Sequence, residues 1–284
     1  MKLSTLNEVL PQALEGHYAV GHFNINGILW TEAFLETAQA ENSPLILATS
    51  DRVVDYLGGF NTIRQMVDYL LKQLKIDIPV VLHLDHGQTI NRCKEAIDSG
   101  YSSVMYDGSA YSIDENIKQT KVVSDYAHQN GCSIEAEVGA VGGSEDGIVG
   151  GIKYAKLEDC QRIVEEAKVD ALAAALGSVH GQYVGEPKLG FTEMETISAA
   201  TDTPLVLHGA SGIPEEQIKK AISLGHSKIN VNTEFNMAWV DGLREVLSKE
   251  QSIYEPRKVQ NRGKENIKNM AKQKIYEFGS QNKA

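Results

Sequence analysis

Three histidines stand where short apolar runs give way to glycine. His86 lies in Leu84-Asp85-His86-Gly87, His180 in Ser178-Val179-His180-Gly181 and His208 in His208-Gly209-Ala210-Ser211-Gly212. One histidine in such a place is most often a hydrogen-bonded side chain with no further task. Three at equivalent heights form the donor set of a catalytic zinc site, in which three imidazoles leave one coordination position open. Asp85 adjoins His86. A carboxylate beside a bound substrate is placed for general acid–base work, and its plainer alternative is to orient a ligand. Asp107, in Tyr106-Asp107-Gly108-Ser109, and Glu137, in Glu135-Ala136-Glu137, are candidates for a second or alternative metal position. Their plainer alternative is to hydrogen-bond the histidines.

Two loops have the makings of an anion cradle. Gly209-Ala210-Ser211-Gly212 comes just before Pro214-Glu215-Glu216, which reads as a helix start, and Asn230-Val231-Asn232-Thr233 runs into the next helix at Thr233-Glu234. Free backbone N–H groups and hydroxyls at helix N-termini bind phosphate. Either loop alone could be ordinary capping; two in succession point to a phosphate site.

These residues need a scaffold that ends many strands at one rim. Eight apolar, β-branched runs recur, at 19–24, 44–50, 79–85, 102–108, 133–139, 171–177, 204–210 and 228–233. Several are continuously apolar, as strands buried on both faces are. Helical periodicity fills the gaps; Ile113, Ile117, Thr120, Val123 and Ala127 share one face. Alternating strands and helices make a parallel sheet, and eight units favour a closed (β/α)8 TIM barrel of the α/β class. A doubly wound sheet is the runner-up, but the first run ends Phe23-Asn24-Ile25-Asn26, without a dinucleotide-type glycine turn. Phosphate in such barrels is often held by the loops after strands seven and eight, where the two cradles fall. Residues 1–284 are expected to form one barrel domain, with a lead helix at 3–13 and a C-terminal helical extension at 264–278. His22 and His83 should line the barrel or stand behind the ligands, His128 and His226 should be solvated, and the glycine-rich stretch 139–151 should be a mobile loop.

The bulk numbers limit the partners. A formal net charge of −11 argues against nucleic acid and anionic membranes. The opening residues MKLSTLNEVL are too polar for a signal peptide, and no apolar run approaches the ~18 residues of a membrane span. Cys93, Cys132 and Cys160 read as reduced structural thiols. A cytoplasmic protein is expected.

The motifs resemble those of the class II fructose-bisphosphate and tagatose-bisphosphate aldolases. The resemblance rests on His83-Leu84-Asp85-His86-Gly87, Glu135-Ala136-Glu137-Val138-Gly139, Gly142-Gly143-Ser144-Glu145-Asp146-Gly147, Gly177-Ser178-Val179-His180-Gly181, Leu207-His208-Gly209-Ala210-Ser211-Gly212 and Lys228-Ile229-Asn230-Val231-Asn232-Thr233-Glu234, and it spans nearly the whole chain. It implies that His86, His180 and His208 hold Zn2+, and that Asp107 and Glu137 match a second position for a divalent or monovalent cation. By the same resemblance Asp85 exchanges a proton with the oxygen at the broken carbon–carbon bond, and Glu145 handles the proton on the carbon of dihydroxyacetone phosphate. Gly181, Gly209, Ala210, Ser211, Gly212, Asn230, Val231, Asn232 and Thr233 would bind the triose phosphate. Asn24 and Ser50 would contact substrate, and Arg257 would grip the far phosphate across a dimer interface. The reaction implied is reversible retro-aldol cleavage of fructose 1,6-bisphosphate or a close phosphorylated ketose, in a homodimer or homotetramer.

Retro-aldol cleavage leaves negative charge on an enediolate, which a divalent metal stabilises without a Schiff base. No lysine ends run six to form one. The pattern departs from the commonest family form at Val184, after Gln182-Tyr183, and at Asp107-Gly108-Ser109-Ala110. Asn24-Ile25-Asn26-Gly27, the segment from Ser50-Asp51-Arg52 to Gly58-Gly59-Phe60, and Gly147-Ile148-Val149-Gly150-Gly151 look like the inositol-catabolic branch. That branch cleaves 6-phospho-5-dehydro-2-deoxygluconate to dihydroxyacetone phosphate and malonate semialdehyde. A zinc-dependent barrel hydrolase and a non-catalytic barrel are the readings from other classes. His22 has no paired ligand histidine on its run, and a hydrolase would leave the phosphate cradles without a purpose.

Overall fold

The eight apolar runs are strands, and they close on themselves. A computed structural model of the chain describes residues 2–145, 148–183 and 185–284, without the side chains of residues 144, 145 and 148–150. The strands are β1 (Val20–Asn24), β2 (Leu45–Ser50), β3 (Val80–Gly87), β4 (Ser103–Tyr106), β5 (Ser133–Val138), β6 (Gly142–Glu145), β7 (Ile148–Gly150), β8 (Ala171–Ala174), β9 (Val179–His180), β10 (Leu205–Leu207) and β11 (His226–Val231). The barrel order is β1-β11-β10-β8-β5-β4-β3-β2, with neighbouring strands parallel. Around it run α1 (Leu6–Glu15), α2 (Ile28–Ala40), α3 (Asp51–Tyr56), α4 (Phe60–Gln73), α5 (Ile90–Asp98), α6 (Ile113–Gln129), α7 (Leu157–Ala167), α8 (Phe191–Thr201), α9 (Glu215–Ser223), α10 (Thr233–Lys249) and α11 (Pro256–Glu277). No described helix is long and apolar enough to cross a membrane.

Alternate residues of a strand face the barrel axis, and along that axis polarity rises. At one end Val20, Ile46, Val81, Ala171 and Val206 pack against Leu6, Val9, Leu10 and Ala13 of α1. The expected lead helix is therefore the plug of the barrel floor. Two residues further along β1 and β3, and on β5 and β11, come His22, His83, Glu135 and Lys228, all buried. One step further come Asn24, Asp85, Glu137, His208 and Asn230, at the rim where parallel barrels build their sites.

Three expectations need correction. The stretch 139–151 carries an antiparallel β6–β7 pair, and β6 also pairs in parallel with β9. Glycine permits this: Gly143 has φ +95°, and a Cβ there would lie 2.1 Å from the His180 carbonyl oxygen. His226, expected in solvent, is buried in β11, where its Nδ1 lies 3.1 Å from the Ala221 carbonyl oxygen. The C-terminal helix starts earlier than expected, with Pro256 in its first turn, and Lys274 anchors it to Glu234 of α10 at 2.9 Å.

Candidate metal and substrate site

β3, β9 and the end of β10 bring the three histidines together. Their ring centroids are 4.8 Å (His86–His208), 5.2 Å (His86–His180) and 5.9 Å (His180–His208) apart. One nitrogen of each lies within 4.8 Å of one nitrogen of the others. His180 owes its place to the small second sheet, since Gly143 pairs with it in register. His86 has φ +49°, a left-handed conformation rare outside glycine. That twist breaks strand alternation, so adjacent Asp85 and His86 both reach the rim.

The far sides of two rings are held by carboxylates. Asp107 Oδ2 is 2.9 Å from His86 Nδ1, and Glu135 Oε1 is 2.7 Å from His208 Nε2. If each imidazole donates its N–H to that carboxylate, the remaining lone pairs, on His86 Nε2 and His208 Nδ1, face each other at 3.0 Å. Two facing lone pairs repel unless a cation or proton lies between them, so the donor set fits a divalent metal. A second triad, His86, Asp107 and Glu137, shares His86.

Asp85 is buried. Its Oδ2 accepts from Asn24 Nδ2 at 3.0 Å and lies 3.4 Å from His22 Nε2, while Oδ1 has no hydrogen-bond partner among the described residues. Burial pushes its carboxyl up, but His22, His86 and His208 together hold it well below the usual carboxylate range. Glu137 behaves oppositely: burial and then the nearby Asp107 charge raise it to about 8. Beneath the rim Lys228 Nζ lies 2.8 Å from Glu135 Oε2 and donates to Asn230 Oδ1 at 2.9 Å. Burial raises Glu135, and Lys228 with His208 more than offsets this, so it stays ionised.

Two cavities meet at His180. The smaller is lined by Asn24, Asp85, Gly181, Gly209, Ser211, Asn230, Asn232 and Thr233. Ser211 Oγ accepts from the Glu234 N–H at 3.3 Å, beside the α10 N-terminus. Hydroxyls, amides and a helix N-terminus suit an anion. The larger cavity, of about 330 Å³, opens over Ser50, Asp107, Glu137 and His86.

Most of the expected residues therefore converge, and a few do not. Val231 and Ala210 pack into the hydrophobic core, since alternation turns Val231 away from the axis between Asn230 and Asn232. Gly212 lines neither cavity. Arg257, at the start of α11, has an 88% exposed side chain. The side chain of Glu145, and residue Val184, lie outside the described residues. Sequence reasoning passed over Glu135 and Lys228. Their signal was the two-residue period: each stands two positions before a rim residue, Glu137 and Asn230.

The sequence matches the family Fructose-bisphosphate aldolase class-II over residues 4–283. The chain belongs to the class II fructose-bisphosphate aldolase family. Its relatives include a 6-phospho-5-dehydro-2-deoxy-D-gluconate aldolase of Bacillus velezensis, 59% identical over 100% of this chain and 98% of that protein. A fructose-bisphosphate aldolase of Geobacillus stearothermophilus is 51% identical, over 100% and 99% of the two chains. The solved YdjI aldolase of Escherichia coli K12 superposes with a TM-score of 0.87 at 32% identity, over 99% of each chain. This class II aldolase is thus a carbon–carbon lyase of a generally metal-dependent family, and the hydrolase and non-catalytic readings fall away.

Proposed function

We propose that this aldolase cleaves 6-phospho-5-dehydro-2-deoxy-D-gluconate to dihydroxyacetone phosphate and malonate semialdehyde, using Zn2+ held by His86, His180 and His208. The observation that carries the metal is the 3.0 Å approach of His86 Nε2 and His208 Nδ1, each backed by a carboxylate. When bound there, a divalent ion supplies the Lewis acid that stabilises negative charge on the substrate ketone. The buried, ionised Asp85 takes the proton from the hydroxyl next to the breaking bond, so that the carbonyl of the aldehyde product forms. In condensation it returns that proton. Asn24 orients Asp85. The small cavity takes the phosphate, with Gly181, Gly209, Ser211, Asn230, Asn232 and Thr233 around it, while Ala210 and Val231 anchor the neighbouring backbone in the core and Gly212 continues the loop. Ser50 contacts the rest of the sugar. Glu145 moves the proton on the carbon of dihydroxyacetone phosphate. Asp107 and Glu137, with His86, offer a second cation position.

The acid sugar is favoured over fructose 1,6-bisphosphate by the name of the relative at 59% identity and by the asymmetry of the cavities: among the described residues the glycine-and-hydroxyl cradle lines the smaller one and not the larger. A single barrel domain working in the cytoplasm as a homodimer or homotetramer, with Arg257 reaching into a second copy, completes the reading. Two measurements test it. Specificity constants for the deoxygluconate phosphate, fructose bisphosphate and tagatose bisphosphate should rank the first highest; a leading fructose bisphosphate would reverse the substrate. His208→Ala should lose its zinc by metal analysis together with cleavage, and a fully active variant would dismiss the ligand set.

A further inference from the structure

The larger cavity shares His180 with the phosphate cradle and none of its other described lining residues, so it is the space left for the carbons that leave as aldehyde. Its charged lining is unequal. Asp51 is neutralised, accepting from Arg92 Nε at 2.8 Å and from the Gln88 N–H at 3.0 Å. Asp107 is engaged by His86 and by Ser109, whose Oγ donates at 2.6 Å. Glu137 Oε1 accepts from the Val141 N–H at 3.1 Å. Arg52 lines the same cavity on α3, and among the described residues no carboxylate pairs with it. Among the described residues of that lining it is the one cationic side chain besides the histidines.

We infer that Arg52 is the specificity residue for the aldehyde half: its guanidinium pairs with a carboxylate at the far end of a short oxo-acid. The inference deepens the acid-sugar reading and rests on it. A planar guanidinium matches a carboxylate through two parallel hydrogen bonds. A phosphate dianion at the same place would find, among the described residues, no glycine-and-hydroxyl cradle like the one around Ser211. Arg92 cannot serve, because Asp51 and Asp55 hold it at 2.8 and 2.9 Å and its guanidinium lies over Phe60.

The test runs the reaction as condensation, with the metal-loaded full chain and dihydroxyacetone phosphate. Malonate semialdehyde is compared with propanal, an uncharged aldehyde of equal length. In Arg52→Met, kcat/KM for malonate semialdehyde should fall about 10–100-fold, mostly through KM, while that for propanal should change less than about threefold. Arg52→Lys should recover part of the loss, since it restores charge without the fork. Equal losses with both aldehydes would overturn the inference, as would loss of the acid preference in Arg257→Ala with its retention in Arg52→Met. A wild-type enzyme with no preference for the acid would instead overturn the substrate reading beneath it.

Discussion

At the scale of single residues, the site separates holding from reacting. His86, His180 and His208 converge by geometry, and Asp107 and Glu135 fix the orientation of two of the rings. Asp85 faces the same space but spends one oxygen on Asn24, and its other oxygen has no hydrogen bond among the described residues. Asp85→Ala should therefore keep its zinc in elemental analysis while losing on the order of 10²–10⁴-fold in kcat. A loss below tenfold would reduce Asp85 to a ligand-orienting carboxylate. Lys228 is the quieter residue. It is fully buried beside Glu135, and removing one partner of a buried pair leaves the other charge uncompensated. Lys228→Met should cost about 3–5 kcal/mol in denaturant unfolding, and adding Glu135→Gln should recover part of it. If the single variant is as stable as wild type, the pair carries no strain of this kind.

At the scale of elements, β9 shows how much positioning two residues can do. Gly143 lets β6 lie against the His180 backbone, and any side chain there would collide with it. Gly143→Ala should shift His180, lower zinc affinity in a chelator competition and destabilise by about 1–3 kcal/mol. An unchanged affinity would mean that β9 holds its place without β6. The barrel strands were legible because each is short, apolar and bounded by turn residues. The rim was legible because its polar residues end those strands. The small sheet was not: its strands are two to four residues long, and three of their nine residues are glycines, so no run of alternating side chains marks them. Asn230 and Asn232 were found, but the intervening Val231 was carried along with them, although a strand turns neighbours to opposite faces. His226 looked like a turn residue and proves to be buried in β11, with its ring against Ala221 of α9.

At the scale of the whole molecule, the barrel is apolar where α1 plugs it and ionic towards the rim. Outside that gradient, burial lowers the pKa of His226 to about 4, from an ordinary value of 6.5. A depressed histidine contributes nothing above pH 6.5, where folded and unfolded chains are both neutral. Below it the unfolded chain takes up the proton first, so stability drains away as the pH falls from 6.5 towards 4, by at most roughly 3 kcal/mol. His226→Asn should flatten that part of the acid unfolding curve, and an identical curve would move the acid sensitivity elsewhere. The short helix α3 carries a different consequence. Asp51 and Arg52 ride on it, after the end of β2, whereas the imidazoles belong to β3, β9 and the turn after β10. Exchanging a residue on that helix can retune which aldehyde is admitted while the lyase machinery stays intact. Descendants of one ancestor could thus come to feed on different sugars by editing a single turn at the doorway.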